Sequence, residues 1–214
     1  MFPGRSLALA CVCTLLVLTG TPASEQNEQR LPIDTALTSI TIRVGKTGLF
    51  SLVGHDHEVV APVLKGSVTV DRSDVRRSSV SLEFDAGALK VTGKDEPVGV
   101  VPEAQRVMLS DRVLDVGRYP NISFHSSGVS LVEGSRDQML VRVTGDLTLH
   151  GMTRPLTVPV KVRLAADRLV AEGKVIVRQS DFGIQPVTVA GGTVKVKDQL
   201  DIAFKVMAIG IGAR

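Results

Sequence analysis

The stretches Val141–Leu149 (VRVTGDLTL) and Leu156–Leu164 (LTVPVKVRL) decide the fold. In the first, Val141, Val143, Gly145, Leu147 and Leu149 alternate with Arg142, Thr144, Asp146 and Thr148. In the second, Leu156, Val158, Val160, Val162 and Leu164 alternate with Thr157, Pro159, Lys161 and Arg163. A period of two belongs to strands, whose successive side chains point to opposite faces. One face is apolar and the other wet, which marks antiparallel sheet, since parallel strands are covered on both sides. The same pattern runs outward in both directions. Ile40, Ile42 and Val44 share a face, as do Leu64, Gly66, Val68 and Val70, with Lys65, Ser67, Thr69 and Asp71 assigned to the wet side. Val80, Leu82 and Phe84 repeat it, followed by Leu169–Val177 and Val194–Val206. With Leu49–Gly54 and Asn121–Ser126 the count is about eight to ten strands. Turn signals separate them at Gly45–Gly48, Ser73-Asp74, Gly134–Asp137, Ala166-Asp167 and Gly191-Gly192. So many one-sided strands need a sandwich or a closed barrel, and closure also removes exposed edges. One stretch breaks the pattern. Pro102–Leu114 (PEAQRVMLSDRVL) predicts a short helix capping one end of the sheet, with Pro102 in its first turn and Glu103 at the positive end of the dipole.

Composition narrows the function classes. Among 214 residues, Lys+Arg 25 against Asp+Glu 22 leaves a formal charge of +3, too small an excess for a nucleic-acid footprint. Apolar residues at 43% and charged residues at 22% exclude disorder as the main state. With no Trp and one Tyr, a stacking platform for bases is excluded too. At the N-terminus, Arg5 precedes an uncharged apolar run, Leu7–Leu18, and Thr21-Pro-Ala23 offers small residues for cleavage. Residues 1–23 therefore read as a signal peptide cut after Ala23, the run being short for a membrane span. No later run reaches spanning length, so no membrane span is expected in the mature chain. Cys11 and Cys13 both fall in the leader, which leaves no disulfide, Cys-ligated metal or cysteine nucleophile. Ser24–Arg30 (SEQNEQR) is polar, and residues 24–34 read as a flexible tail before a domain at 35–210.

Chemistry-bearing residues are sparse. His55 and His57 are two apart, so on an extended strand they share a face and can reach one metal ion, with Asp56 or Glu58 as further ligands. The alternative is a pair of solvated histidines beside a turn at Gly54. His125 and His150 fall on the wet face by parity. No Ser/His/Asp spacing, nucleophile elbow or phosphate-binding loop occurs, so no catalytic residue and no cofactor are expected.

Four blocks carry a family resemblance: Val113–Ser127 (VLDVGRYPNISFHSS), Val143–Leu156 (VTGDLTLHGMTRPL), Gln179–Ile184 (QSDFGI) and Val196–Ile202 (VKDQLDI). Together they resemble the YceI-like family over residues 35–208. The resemblance implies an all-β fold: an antiparallel lipocalin-like β-barrel of about eight strands with one short capping helix. It further implies a bacterial protein exported to the periplasm or beyond, with an elongated apolar cavity that holds a polyisoprenoid or quinone tail. A homodimer is an allowed assembly. The chain departs from the family at Leu49–Val59 (LFSLVGHDHEV), a histidine-bearing variant of the usual hairpin, and in its short Val91–Val101 connection.

Parity gives the inward positions, and the resemblance implies that they form a ligand-binding wall: Val68, Val70, Leu82, Phe84, Phe124, Val143, Leu147, Leu149, Val160 and Phe204. The expected function is non-enzymatic binding, transport or storage of an apolar isoprenoid lipid. A second reading is a metal-binding protein or metal-dependent enzyme using His55 and His57. A third is a stress-associated interaction module with a solid barrel.

Overall fold

Strands form where the period-two runs lie, and short polar or proline-bearing breaks bend them. The computed structural model describes residues 28–47, 56–94, 96–97, 99–135, 137–189 and 194–210. The leader 1–23, the strand expected at Leu49–Gly54, His55 and the Gly191-Gly192 turn lie outside the described residues. Among those described, the strands are β1 (Glu28–Pro32), β2 (Ser39–Thr47), β3 (His57–Val60), β4 (Lys65–Asp71), β5 (Ser79–Asp85), β6 (Lys90–Val91), β7 (Asn121–Gly134), β8 (Gln138–Leu149), β9 (Met152–Leu164), β10 (Arg168–Arg178), β11 (Thr188–Val189) and β12 (Val194–Ile209). The helix α1 spans Val100–Leu109.

All strands belong to one antiparallel sheet in the order β1-β4-β5-β7-β8-β9-β10-β12-β2-β3-β6, with β11 paired to β12. Eleven strands thus lie on the path where about eight were expected. The registers explain the difference. Residues Glu28 to Pro32 of β1 face Asp71 to Ser67 of β4, and Thr41 to Val44 of β2 continue the same descending register against Val60 to His57 of β3. Segments β5 and β6 likewise follow one register against β4 and β3. So β1 with β2, β3 with β4, and β5 with β6 are three bent staves, each cut in two, which with β7, β8, β9, β10 and β12 make the barrel.

Each bend has a local cause. Between β1 and β2, Asp34 Oδ1 accepts from the N–H groups of Ala36 (3.0 Å) and Leu37 (3.1 Å), an Asx-type turn. Between β3 and β4 lies Pro62, which has no N–H for a ladder. Between β5 and β6, Asp85 Oδ1 accepts from Gly87 N–H (2.9 Å) at a single 3-10 turn. Proline also shapes the later half. The β9–β10 ladder stops at Val160↔Gly173, one residue short of Pro159.

The sheet closes at the first bend. Ile33 N–H donates to Gly66 O at 3.0 Å, on the β4 side, while Asp34 N–H donates to Met207 O at 2.8 Å, on the β12 side. Apolar side chains from every stave meet inside, with Leu31, Val141 and Ala208 among the most buried. Val101, Ala104 and Met108 of α1 pack against that core. Gln105 fixes the helix, its Oε1 accepting from Val91 N–H (2.8 Å) and its Nε2 donating to Leu89 O (2.9 Å).

Three expectations need correction. Residues 28–32 of the segment expected as a flexible tail at 24–34 form β1 instead, because Leu31, 1% exposed, joins the core and draws its backbone into the sheet. The Gly45–Gly48 turn is absent at Gly45, since β2 runs on to Thr47 against β12. The helix expected over 102–114 begins two residues earlier and ends at Leu109, with Leu114 buried in the turns that follow.

Truncating Leu31 should therefore cost as much as truncating a central core residue. Leu31→Ala is expected to lower unfolding free energy by about 2–5 kcal/mol in a urea titration. Leu37→Ala, at a site 53% exposed, is the control and should change it little. A Leu31→Ala loss no larger than the control's would show that β1 contributes little to the fold.

Candidate functional site

Closing a sheet of this width leaves space inside, and here the space is a cavity of about 860 Å³. A barrel of about eight staves either fills with side chains or holds one slender ligand; the cavity excludes the solid barrel. All ten wall positions named from parity line it. They come from β4, β5, β7, β8, β9 and β12, whose inward faces carry small aliphatic residues.

Of the three phenylalanine rings on that wall, those of Phe124 and Phe204 lie flat. A methyl group at Gly145 would stand 2.7 Å from Cζ of Phe124, and one at Gly173 would stand 2.5 Å from Cζ of Phe204. Each ring therefore covers a glycine on the neighbouring strand instead of crossing the lumen, the arrangement by which an aromatic side chain covers a glycine in a sheet. Backbone is equally close at both points, with Pro159 O 2.7 Å from the built position at Gly173.

The cavity has unlike ends. Beside α1 its lining residues, Leu89, Leu114 and Leu149, are buried. At the opposite end the lining includes exposed residues of the β4–β5 connection and the β7–β8 hairpin, among them Leu131, 52% exposed. That exposed rim is the mouth.

One buried carboxylate builds the mouth. Asp71 was assigned to the wet face by parity, yet it is 2% exposed, because the chain turns there and brings donors over it. Its Oδ1 accepts from Ser73 N–H (2.7 Å), Ser73 Oγ (2.6 Å) and Asp74 N–H (2.9 Å), and its Oδ2 accepts from Arg77 Nε (2.7 Å). The Ser73 hydroxyl foremost, then the Asp74 and Ser73 N–H groups and the Arg77 guanidinium, hold this carboxyl far below the usual carboxylate range against the opposing effect of burial. The result is a folded 72–78 segment, including the 3-10 turn Val75–Arg77, laid along β7 where β5 no longer pairs with it.

The histidines are scattered. His57 opens β3, and its Nδ1 lies 2.9 Å from Oε2 of Glu96, whose side chain is wholly buried. The other oxygen, Oε1, has no hydrogen-bond partner among the described residues. His125 bonds Ser81 Oγ at 3.0 Å on the outer face. His150 is not on a wet strand face. It occupies the β8–β9 turn with φ 51°, donates from Nδ1 to Phe182 O at 3.1 Å and rests against Tyr119 with ring centroids 4.5 Å apart. Among the described residues no three His, Cys, Asp or Glu side chains converge as metal ligands. Parity had missed Glu96 and Asp71. An Asp followed two and three residues later by Ser73 and Asp74 was a readable signal for the second.

A sequence model for the YceI-like domain matches residues 32–208. A UPF0312 protein of Pseudomonas savastanoi is 28% identical over 146 residues, 65% of this chain and 68% of its own. A UPF0312 protein of Pseudomonas putida is 32% identical over 92 residues, 43% of this chain and 42% of its own. Among solved structures, Burkholderia cenocepacia BcnA superposes with a TM-score of 0.62 at 18% identity, covering 82% of this chain and 99% of that one. The Campylobacter jejuni YCEI protein gives 0.52 at 12% identity, covering 68% and 80%. At these identities the structures speak for the fold. No helix among the described residues is long and apolar enough to cross a membrane.

Removing the charge at the mouth should be read in acid as well as at neutral pH. A carboxyl held far below its ordinary value of 3.8 stabilises the fold in full above that value, and the contribution shrinks progressively as pH falls below it towards the folded-state value. Asp71→Asn is expected to lower the melting temperature by several degrees at pH 7. The gap to the wild type should then narrow below pH 4, where the unfolded chain begins to bind the proton that the folded carboxyl still refuses. A gap that stayed constant from pH 7 to pH 3 would show that the Asp71 charge is not what holds the segment.

Proposed function

Because the chain belongs to the YceI-like family over residues 32–208, we propose that it binds an apolar isoprenoid lipid, a polyisoprenoid or a quinone tail, as a non-enzymatic carrier or store. The observation that carries this reading is the cavity of about 860 Å³, lined along its length by Val, Leu, Ile and Phe. An isoprenoid tail offers no polar group to satisfy, so such a wall suits it. Each methylene moved out of water is worth about 0.8 kcal/mol, offset in part by the ordering of the chain. Affinity is therefore expected to grow with tail length until the cavity is full. The flattened Phe124 and Phe204 rings keep the lumen free for that tail.

Export completes the proposal. The Leu7–Leu18 run and Thr21-Pro-Ala23 support delivery to the bacterial periplasm or beyond, where a lipid in transit needs a protein shell.

Two experiments test these statements. Native mass spectrometry of freshly purified protein, followed by organic extraction, should find a co-purifying isoprenoid. Leu147→Trp fills volume without adding charge and should abolish that loading in a folded protein; full loading in the variant would place the lipid elsewhere. Separately, protein expressed with its leader in a Gram-negative host should begin at Ser24 on N-terminal sequencing. Retention of Met1 on membrane-bound protein would rule out cleavage there.

A further inference from the structure

The polar side chains on the cavity wall are confined to the mouth. They come from Asp71, Arg72 and Ser73, from Ser78 and Ser79, and from Ser135 and Asp137 in the β7–β8 hairpin. The rest of the described lining is apolar apart from Gly134. Such zoning fits an occupant with one polar end. The groups at the mouth are not equally free to meet it. Asp71 is already saturated by Ser73, Asp74 and Arg77.

Arg72 is different. It is the one cation on the described wall. Its side chain leaves β4, reaches the β9–β10 turn and donates from Nη2 to Ala165 O (2.7 Å) and Ala166 O (3.2 Å), with Gln29 Oε1 at 3.5 Å. All three contacts use that single nitrogen. Nε and Nη1 carry no hydrogen bond among the described residues. A guanidinium has five N–H donors in a fixed fork, so holding one nitrogen on carbonyls orients the others. The fork is thereby preset at the opening of an apolar tube.

We infer that Arg72 is the head-group site of this cavity, and that the ligand is a single-tailed amphiphile whose head presents hydrogen-bond acceptors to Arg72 Nε and Nη1 while its tail fills the barrel. The inference rests on the carrier reading and names the class of lipid carried. Neutral carbonyl heads and carboxylates share the required chemistry. Asp137, on the same rim, is the acid left to oppose Arg72, which favours heads of no more than one negative charge.

The test is displacement of N-phenyl-1-naphthylamine fluorescence from the full-length purified protein by three competitors: decylubiquinone, palmitate and squalene. Arg72→Ala should weaken both headed competitors by roughly tenfold or more, the loss of a charge-assisted hydrogen bond. Squalene, which has no head, should shift less than twofold. Arg76→Ala, an exposed arginine on the same segment that pairs with Asp74, should shift none. Arg72→Lys keeps the charge without the fork, and it gives the same comparison should the Ala variant not fold; its headed competitors should weaken while squalene holds. A loss confined to palmitate assigns an anionic head, and one shared by both assigns an acceptor head regardless of charge. Equal loss for all three competitors would make Arg72 a structural brace and overturn the inference. No loss for any would overturn it and leave the carrier reading intact. Failure of all three, squalene included, to displace the dye from the wild type would remove both.

Discussion

One bent stave, β1 with β2, turns an open sheet into a container, and two consecutive N–H groups sit at its bend. Ile33 donates toward β4 and Asp34 toward β12, so one short stretch of backbone joins the two flanks of the sheet. The junction is tight. A methyl group at Gly66 would stand 2.7 Å from Ser81 O of β5 and 3.0 Å from Ile33 Cγ1, so the β5 backbone and the Ile33 side chain together leave room only for glycine there. Without this seam β1 would part from β12 and the wall would open along that half, while β2 would still join β12 to β3 in the other. The seam also depends on Leu31, which holds β1 in the core two residues before the junction.

Within the closed wall, polarity is arranged along the axis and not around it. Aliphatic residues and three phenylalanines, two of them laid over glycines, line the length, while the charged groups gather where the strands end. Sheet geometry enforces this. A polar side chain pointing inward at mid-strand would be stranded without a partner at the cost of an unmade hydrogen bond, whereas at a strand end the turning backbone supplies donors, as it does for Asp71. Fold and site thus arise from one rule, in which inward positions stay apolar until the chain turns.

That rule also sets how much was legible in the sequence. Alternation placed Val68, Leu82, Leu147 and Phe204 on the cavity wall because parity survives the whole length of a paired strand. It gave the wrong side to Asp71, the last residue of β4, because parity lapses where the ladder ends. The polar segment SEQNEQR read as a tail because only Leu31 and Ile33 reveal the strand that continues from it, and two residues make no period. Bent staves look like separate strands to a reader of runs, since Asp34, Pro62 and Asp85 carry turn chemistry while the pairing register passes through them. The His57–Glu96 contact joins residues 39 positions apart and left no local pattern to find.

The unlike ends of the cavity also bear on the order of events under the carrier reading. Among the described residues, α1 and its buried neighbours stand over one end, and the exposed residues of the lining all lie at the other. A lipid carried as proposed would back out by the rim it entered, with water passing it there. Loading and unloading would then alternate at one face of the molecule, so giver and taker would have to approach that face in turn.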